Sequence, residues 1–219
     1  MSCAFTYRYI VVEGPIGAGK TSLARRLARH AASDLLLEAP EDNPFLTRFY
    51  ADPARHALAT QLFFLFQRID QLRGHAQLDL FERGTVADFL FDKDSLFANL
   101  TLTADEFVLY QKIFSTLKPR APRPDLVIYL QVAPSTLTQR IRQRGRAYES
   151  SLTEAAGGAA YLNRVAEAYD RFFYHYDEAP VLIVNSARLN FIDDEAAFHL
   201  LTDRIAAMRG RREYLNSGD

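Results

Sequence analysis

The sequence predicts an α/β fold, built on a parallel sheet of five strands with helices on both faces. Short apolar runs alternate with longer segments of helical period, which is the pattern of strand–helix–strand units. The runs are apolar nearly throughout, as parallel strands buried on both faces are. The chain has 219 residues, of which 48% are hydrophobic. This length suits one well-buried domain, so we expect residues 1–219 to form a single domain.

Five apolar runs are predicted to be strands. They are Tyr9 to Glu13, Leu35 to Glu38, Thr85 to Ala87, Leu126 to Leu130 and Val181 to Val184. Each run is short, and a longer segment separates it from the next. Such long connections are typical of parallel strands joined by crossovers.

Six segments are predicted to be helices. The first starts at the phosphate loop and runs to about Ala32, the second covers roughly Pro53 to Leu80, and the third begins after Thr103. The last three cover about Pro134 to Gly145, Ala160 to Tyr176 and Asp193 to Met208. Pro53 suits the first turn of the second helix. Thr103 and Glu106 have the spacing of a capping box at the start of the third.

The charge balance and the single cysteine exclude several classes of protein. The chain has 26 basic and 27 acidic residues, so no overall positive field attracts nucleic acid or an anionic membrane. Cys3 is the only cysteine, which excludes an internal disulfide, and no run approaches the ~18 apolar residues of a membrane span. The N-terminus has no signal-peptide pattern. We therefore expect a cytoplasmic protein that binds neither nucleic acid nor membrane.

The stretch GPIGAGKTS, after the first apolar run, predicts a site for a nucleoside triphosphate. Its glycines let the backbone turn tightly with the N–H groups inward, and the following helix adds its positive N-terminal end. Lys20 suits the β- and γ-phosphates, and the Thr21 hydroxyl suits the Mg²⁺ that accompanies ATP. ATPases, switches and kinases share this P-loop, so the acceptor must be identified from other residues. The predicted ATP-binding residues are Gly14, Pro15, Ile16, Gly17, Ala18, Gly19, Lys20, Thr21 and Ser22.

Two acids close predicted strands, at the sheet edge where ligands of open α/β sheets bind. Glu38 ends the run LLLE, where a carboxylate could accept the proton of an attacking hydroxyl, or could simply be solvated. Asp88 follows the run TVA and is a candidate to hold Mg²⁺ directly or through water. The pair Glu82 and Arg83 precedes Gly84 at the opposite end of that strand, so we assign it no role.

Four arginines fall within the seven residues RIRQRGR, at the end of the fourth predicted helix. They are Arg140, Arg142, Arg144 and Arg146. Planar guanidinium groups suit phosphate oxygens, so the cluster predicts a lid at about residues 140–160. The alternative explanation is that the helix dipole favours arginines at the C-terminus of a helix. The segment Ser150 to Ala160 is small, polar and glycine-bearing, and we predict a mobile loop there beside the lid.

Together these residues resemble the deoxynucleoside kinase family, and most closely its bacterial deoxyadenosine/deoxyguanosine/deoxycytidine kinase branch. The similarity runs from Tyr9 to about Phe191 and includes GPIGAGKTS, EAPEDNPFLTRFYADP, QLFFLFQR, ADFLFDKDSLFA and RIRQRGRAYE. The resemblance implies a P-loop NTPase-like fold, a homodimer, and ATP-dependent phosphorylation of the 5′-hydroxyl of a deoxynucleoside. A purine deoxynucleoside is our preferred substrate, and deoxycytidine is also open.

The resemblance also implies roles for single residues. Glu38 is the general base, Tyr50 and Glu149 hold the 3′-hydroxyl, and Gln61 and Arg68 read the base. Gln61 and Arg68 are seven residues apart, so they share a helix face. The predicted substrate-binding residues are Glu38, Tyr50, Gln61, Arg68, Asp88, Lys93 and Glu149. Lys20, Arg140, Arg144 and Arg146 are predicted to stabilise the transferring phosphoryl group.

The chain departs from the family pattern at two places. Many members have an acid followed by Arg and Ser after the third strand, but here Phe89 follows Asp88. We hypothesise that Lys93 replaces the missing charge, and the base-contacting acid is either Asp92 or Asp94. The stretch TEAAGGAA is longer than usual for the lid.

Two other functions compete with a deoxynucleoside kinase. A nucleoside monophosphate kinase would need further cations for a second phosphate, whereas Glu38, Tyr50 and Glu149 suit hydroxyl groups. A nucleotide-dependent switch or regulator is less favoured, because the sequence has no NKxD-type guanine motif.

Overall fold

The structure is a computed structural model that describes residues 6–76, 84–118, 121–154, 157–186 and 189–216. Cys3 and the Glu82-Arg83 pair lie outside the described residues, as does the end of the second predicted helix.

The described residues form one parallel sheet with the strand order β2-β3-β1-β4-β5-β6. The strands are β1 Tyr9–Glu13, β2 Asp34–Leu36, β3 Thr85–Ala87, β4 Leu126–Gln131, β5 Val181–Asn185 and β6 Arg212–Leu215. The register places Val11 of β1 beside Ala87 of β3 and Val127 of β4. The chain continues from β1 to β2, toward one edge of the sheet, and from β4 to β5, toward the other edge, which opens a crevice at the carboxyl ends of β1 and β4.

Helices cover both faces of the sheet. They are α1 Lys20–Ala31, α2 Leu46–Ala51, α3 Pro53–Ala76, α4 Asp94–Thr101, α5 Ala104–Leu117, α6 Pro134–Arg144, α7 Ser150–Glu154, α8 Gly158–His175 and α9 Glu195–Ala207. The capping box predicted at the start of α5 is present, because the Thr103 hydroxyl accepts the Glu106 N–H and the Glu106 carboxylate accepts the Thr103 N–H. Among the described helices, none combines the length and apolar character needed to cross a membrane.

The sheet separates two hydrophobic cores, because successive strand side chains point to opposite faces. Val11 packs on the side that holds Phe89, Tyr110 and Tyr169. Val12 packs on the other side, against α1 and α9. Both valines are fully buried, which explains why the central strands are apolar throughout.

The prediction of five strands was wrong by one, because Arg212–Leu215 forms a sixth parallel strand beside β5. This strand lies at the sheet edge, and of its four residues only Leu215 is buried. The residues that precede Leu215 are charged or polar, so the segment lacks the apolar run that marks the other strands.

The predicted loop at Ser150 to Ala160 is instead largely helical, with α7 before residues 155 and 156 and α8 from Gly158. Leu152 anchors α7, because its side chain is 3% exposed and packs with Ile141 of α6 and Leu162 of α8. One buried leucine in a small, polar segment is a weak signal, but it fixes the helix against its neighbours.

Candidate active site

A cavity of about 280 Å³ opens at the carboxyl ends of the central strands. Its volume is at the lower end of the range for small-molecule sites. The phosphate loop closes one end, and residues of α2 and α3 line the other. Residues from the end of α6 and the turn after it also line the cavity. The cavity therefore joins the predicted nucleotide site to the predicted acceptor site.

The phosphate loop has the backbone that its glycines predict. Gly17 and Gly19 have φ angles of 87° and 96°, which side-chain-bearing residues rarely adopt. Helix α1 starts at Lys20, whose Nζ donates to the carbonyls of Gly14 and Pro15 at 2.8 and 3.3 Å. Burial lowers the pKa of Lys20, and the nearby Lys93 lowers it further. The ammonium thus lies over the loop, where a phosphate would replace the carbonyls as its partner.

Thr21 and Asp88 meet beside this loop although they are far apart in the chain. The Thr21 hydroxyl donates to Asp88 Oδ2 at 2.5 Å, and Asp88 Oδ1 accepts the Glu38 N–H at 2.7 Å. Burial raises the pKa of Asp88, and these two hydrogen bonds oppose the rise. A hydroxyl and a carboxylate at this distance are ligands of the kind that Mg²⁺ prefers, so the pair fits the metal that accompanies ATP.

Five side chains form a line of alternating charge from the phosphate loop into the cavity. In order they are Glu13, Lys93, Glu38, Arg68 and Asp94. Each cation lies between two carboxylates, although residues from four different parts of the chain contribute. The line places Glu38 at its centre, between the two cations.

Glu38 is held by both of its neighbours. Arg68 donates to Glu38 Oε1, with its Nε at 2.8 Å, and Lys93 Nζ lies 3.4 Å from Glu38 Oε2. Burial alone would raise the pKa of Glu38, but the charges of Arg68, Lys93 and Lys20 outweigh burial and lower the pKa to about 2. Glu38 is therefore ionised throughout the neutral range, with an oxygen that can accept a hydrogen bond.

The hypothesis for Lys93 agrees with its position. Its side chain is buried, and its Nζ lies 3.3 Å from Glu13 Oε2 and 3.4 Å from Glu38 Oε2. Phe89, which stands where many family members have arginine, is fully buried in the core. The cation beside Glu38 is therefore Lys93, which comes five residues after Asp88 in the chain.

The structure also separates the two candidate acids beside Lys93. Asp94 is fully buried and bonds to Arg68. Asp92 instead pairs with Lys118 at 2.9 Å, away from the cavity. The position of Asp94 agrees with contact to a base through Arg68, and that of Asp92 does not.

The acceptor end combines polar groups with aromatic walls. Gln61 is buried and donates from Nε2 to the Thr101 hydroxyl at 3.3 Å, and the Arg68 guanidinium lies 5.0 Å from the centre of the Phe64 ring. Tyr50 stacks nearly parallel to Tyr148, with ring centres 6.4 Å apart. Burial raises the pKa of Tyr50, which keeps its hydroxyl protonated.

Two of the four clustered arginines line the cavity. Arg144 pairs with Glu149 at 2.6 Å, and Arg146 donates to the Tyr148 hydroxyl at 2.6 Å. Glu149 is thereby held at the cavity wall beside Tyr148.

Arg140 and Arg142 do not line the cavity. Arg140 donates to the carbonyls of Ala18 and Ser186 at 3.2 and 2.9 Å and borders a second cavity, with Gly19 and Ile192, on the other side of the phosphate loop. Arg142 is exposed and donates to the Thr153 carbonyl. Arg144 borders this second cavity as well, so the structure brings Arg140 together with Arg144 there, whereas Arg146 lines the first cavity.

Sequence reasoning missed Glu13 as a residue of the site. It ends β1, and its carboxylate is fully buried next to the phosphate loop. An acid at the end of an otherwise apolar run, YIVVE, was a signal that could have identified it.

Comparisons with known proteins agree with this geometry. The family model described as deoxynucleoside kinase matches residues 10–208. The chain belongs to the deoxynucleoside kinase family. Among its relatives, a deoxyguanosine kinase of Bacillus subtilis (strain 168) is 32% identical over 208 residues, which is 92% of this chain and 96% of that protein. A deoxyadenosine kinase of Lactobacillus acidophilus is 30% identical and covers 84% of this chain and 87% of its own.

Solved structures show the same fold. A deoxyadenosine kinase from M. mycoides with bound dCTP has a TM-score of 0.75 and 22% identity, and covers 91% of this chain and 99% of its own. The predicted α/β fold and the predicted family are therefore confirmed, with six strands in place of five. Like its relatives, this kinase is an enzyme that phosphorylates a deoxynucleoside.

Proposed function

We propose that this kinase transfers the γ-phosphoryl group of ATP to the 5′-hydroxyl of a purine deoxynucleoside, deoxyguanosine or deoxyadenosine. The observation that carries the proposal is the position of Glu38. Its carboxylate lies in one cavity with the phosphate loop on one side and with Arg68 and Gln61 on the other. A nucleoside whose base contacts α3 would bring its sugar to Glu38, and hence its hydroxyl toward the loop.

In this mechanism Glu38 orients the 5′-hydroxyl and accepts its proton as the phosphoryl group transfers in line. The pKa of about 2 keeps the carboxylate ionised. Lys20 and the cavity-facing Arg144 and Arg146 stabilise the negative charge that develops on the transferring oxygens. We keep Arg140 on the ATP side of the loop, where its contacts with Ala18 and Ser186 hold the loop and border the second cavity.

Thr21 and Asp88 would hold the Mg²⁺ of ATP·Mg²⁺, Asp88 either directly or through water. When bound, the metal neutralises charge on the β- and γ-phosphates. Among the described residues no group of three or more His, Cys, Asp or Glu side chains could hold a metal ion.

The purine preference is supported by the named substrates of the relatives, deoxyguanosine and deoxyadenosine, and by the polar groups at the base end. The Gln61 amide offers a hydrogen-bond donor and an acceptor. The Arg68 guanidinium offers several donors in one plane, and Asp94 pairs with it. One relative, of Bacillus subtilis, is named a deoxyadenosine/deoxycytidine kinase. Deoxycytidine is therefore the competing substrate.

A rate survey tests the preference. With ATP and each of the four deoxynucleosides, we expect kcat/KM for deoxyguanosine or deoxyadenosine to exceed that for deoxycytidine by roughly 10-fold or more, as expected where a site hydrogen-bonds its substrate. Reactions with dAMP and without an acceptor serve as controls, and neither should support turnover. Preference for deoxycytidine or thymidine would contradict the purine assignment, and turnover of dAMP would support a monophosphate kinase.

We also propose a homodimer that forms through α3 and α5. These helices pack together and expose large apolar side chains, with Phe66 48%, Val108 53% and Leu109 50% exposed. Clustered exposed apolar groups mark interaction surfaces, and Val108 and Leu109 are consecutive on α5. The cytoplasmic location remains a prediction.

Light scattering tests the dimer. The 24.9 kDa chain should give a particle of twice that mass, and Leu109→Glu should shift the mass toward the monomer because it places a charge in the apolar contact. Tyr174→Glu is the matched control, since Tyr174 is 73% exposed on α8 and should leave the dimer intact. A wild-type monomer at micromolar concentration would contradict the proposal.

A further inference from the structure

Glu13 has a buried carboxylate whose two oxygens are fully occupied. Oε1 accepts the Gly14 N–H at 2.8 Å and the Tyr169 hydroxyl at 3.1 Å. Oε2 accepts the Leu90 N–H at 2.7 Å and lies 3.3 Å from Lys93 Nζ. Two of these donors belong to the backbone, one at the start of the phosphate loop and one after β3. The carboxylate is therefore fixed to the sheet on both sides.

Lys93 has the opposite character. Its ammonium is carried by a flexible four-carbon stem, is buried, and lies close enough to Lys20 to lower the pKa of that lysine. Its two carboxylate partners differ in mobility. Glu38 faces the cavity, is shared with Arg68 and must contact the substrate, whereas Glu13 is held by backbone groups. Glu13 is thus the fixed partner that determines the position of the Lys93 ammonium.

We infer that Glu13 is a positioning residue for phosphoryl transfer, which acts by holding the Lys93 ammonium against Glu38. The inference rests on the proposed role of Glu38. Glu13 also accepts the Gly14 N–H, at the start of the loop that would hold ATP. It therefore connects this loop to Lys93, the cation that contacts the proposed general base Glu38. Without the charge of Glu13, Lys93 loses its fixed partner and Glu38 loses its alignment with the phosphate loop.

A double-mutant cycle tests this role. Glu13→Gln, Lys93→Met and the double variant are compared with the wild type for kcat and for both KM values, with ATP and the best deoxynucleoside. Glu13→Gln is expected to lower kcat by about 10- to 100-fold, because small misplacements at a reacting centre cost up to about 100-fold. Both KM values should change by less than about threefold, since Glu13 does not line the cavity. The double variant should have the kcat of Lys93→Met, because Glu13 acts through Lys93.

Equal losses from Glu13→Gln in the presence and absence of Lys93 would show an independent structural role and overturn the inference. An unchanged kcat in Glu13→Gln would also overturn it. If the single Glu13 variant does not fold, the comparison of Lys93→Met with the double variant still decides, because the double variant removes one charge of each sign. Equal kcat values then support the inference, and a further loss overturns it.

Two further variants complete the design. Glu178→Gln is the matched control, since Glu178 pairs with Lys118 outside the cavity and should keep the wild-type kcat. Glu38→Gln separates the two proposals. If it retains turnover, the proposed role of Glu38 fails and the inference falls with it. If it is inactive and the cycle is additive, only the role of Glu13 is overturned.

Discussion

Glu38→Gln is expected to lower kcat by at least ~100-fold, the lower end for loss of a general base, with little change in ATP binding. The amide keeps the size of the side chain but cannot accept the hydroxyl proton, and it removes the negative charge that Lys93 and Arg68 both contact. The proposed ATP site is on the other side of the cavity, at the loop that starts at Gly14. The loss should therefore appear in kcat and not in the affinity for ATP.

Steady-state kinetics with saturating deoxynucleoside, together with equilibrium binding of ATP, check this expectation. Glu167→Gln is the matched control, because Glu167 is an exposed acid on α8 that does not line the cavity and should keep the wild-type kcat. A Glu38→Gln enzyme with near-wild-type turnover would contradict the assignment. A large loss of ATP affinity would instead mean that Glu38 supports the phosphate loop.

The central strands could be predicted from the sequence because they are buried on both faces. Tyr9–Glu13 and Thr85–Ala87 have the bounds that their apolar runs predict. Burial on both faces requires continuous apolar residues, so the run and the strand coincide. Arg212–Leu215 is held by hydrogen bonds to β5 and by a single buried leucine, and neither is visible as an apolar run.

Site residues could be predicted from the sequence where their location follows from the end of a strand or from the loop motif. Glu38 and Asp88 follow strands, and the loop from Gly14 precedes a helix, so strand ends and the loop motif located them. The contacts between these residues depend on the sheet register and on turns that bring distant segments together. Arg68 and Asp94 are 26 residues apart and meet only because α3 packs on α4.

The same limit explains Glu13 and Arg140. In the sequence Glu13 is only the polar end of a strand. Its importance comes from the ion pair with Lys93, which lies in the turn after β3. Arg140 was grouped with its neighbours by sequence spacing. On a helix, residues four apart share one face but lie about 6 Å apart along the axis, so Arg140 and Arg144 both border the second cavity and Arg144 also reaches the first.

Arg68→Met is expected to destabilise the fold by about 3–5 kcal/mol, as breaking a buried ion pair by removing one partner does. Asp94 is fully buried and depends on the Arg68 guanidinium, whose side chain is 4% exposed. For a chain of this length the loss corresponds to a decrease in Tm of roughly 6–20 °C, at about 2–4 °C for each kcal/mol. Thermal or denaturant unfolding at pH 7 measures it.

Arg73→Met provides the matched control in the same helix. Its guanidinium is 46% exposed and lies 3.9 Å from Asp70, so its removal should change the free energy of unfolding by less than about 0.5 kcal/mol. Equal effects of the two substitutions would contradict the importance assigned to the buried pair.

The pH dependence identifies the charge responsible. Burial raises the pKa of Asp94, and Arg68 opposes the rise. Without Arg68 the pKa in the folded state increases further above its unfolded value, so the folded variant binds the proton more tightly than the unfolded chain. Protonation then favours folding, and the deficit of Arg68→Met relative to the wild type should be smaller at pH 5 than at pH 7.5.

The double variant Arg68→Met with Asp94→Asn separates charge from packing. It removes both charges, so it should recover most of the lost stability if the unpaired carboxylate is the cause. The Arg68 guanidinium also packs 5.0 Å from the centre of the Phe64 ring. A loss that persists in the double variant and does not change between pH 5 and pH 7.5 would assign the effect to this packing, because Asp94 is then gone and Glu38, which also loses Arg68, would make the loss depend on pH.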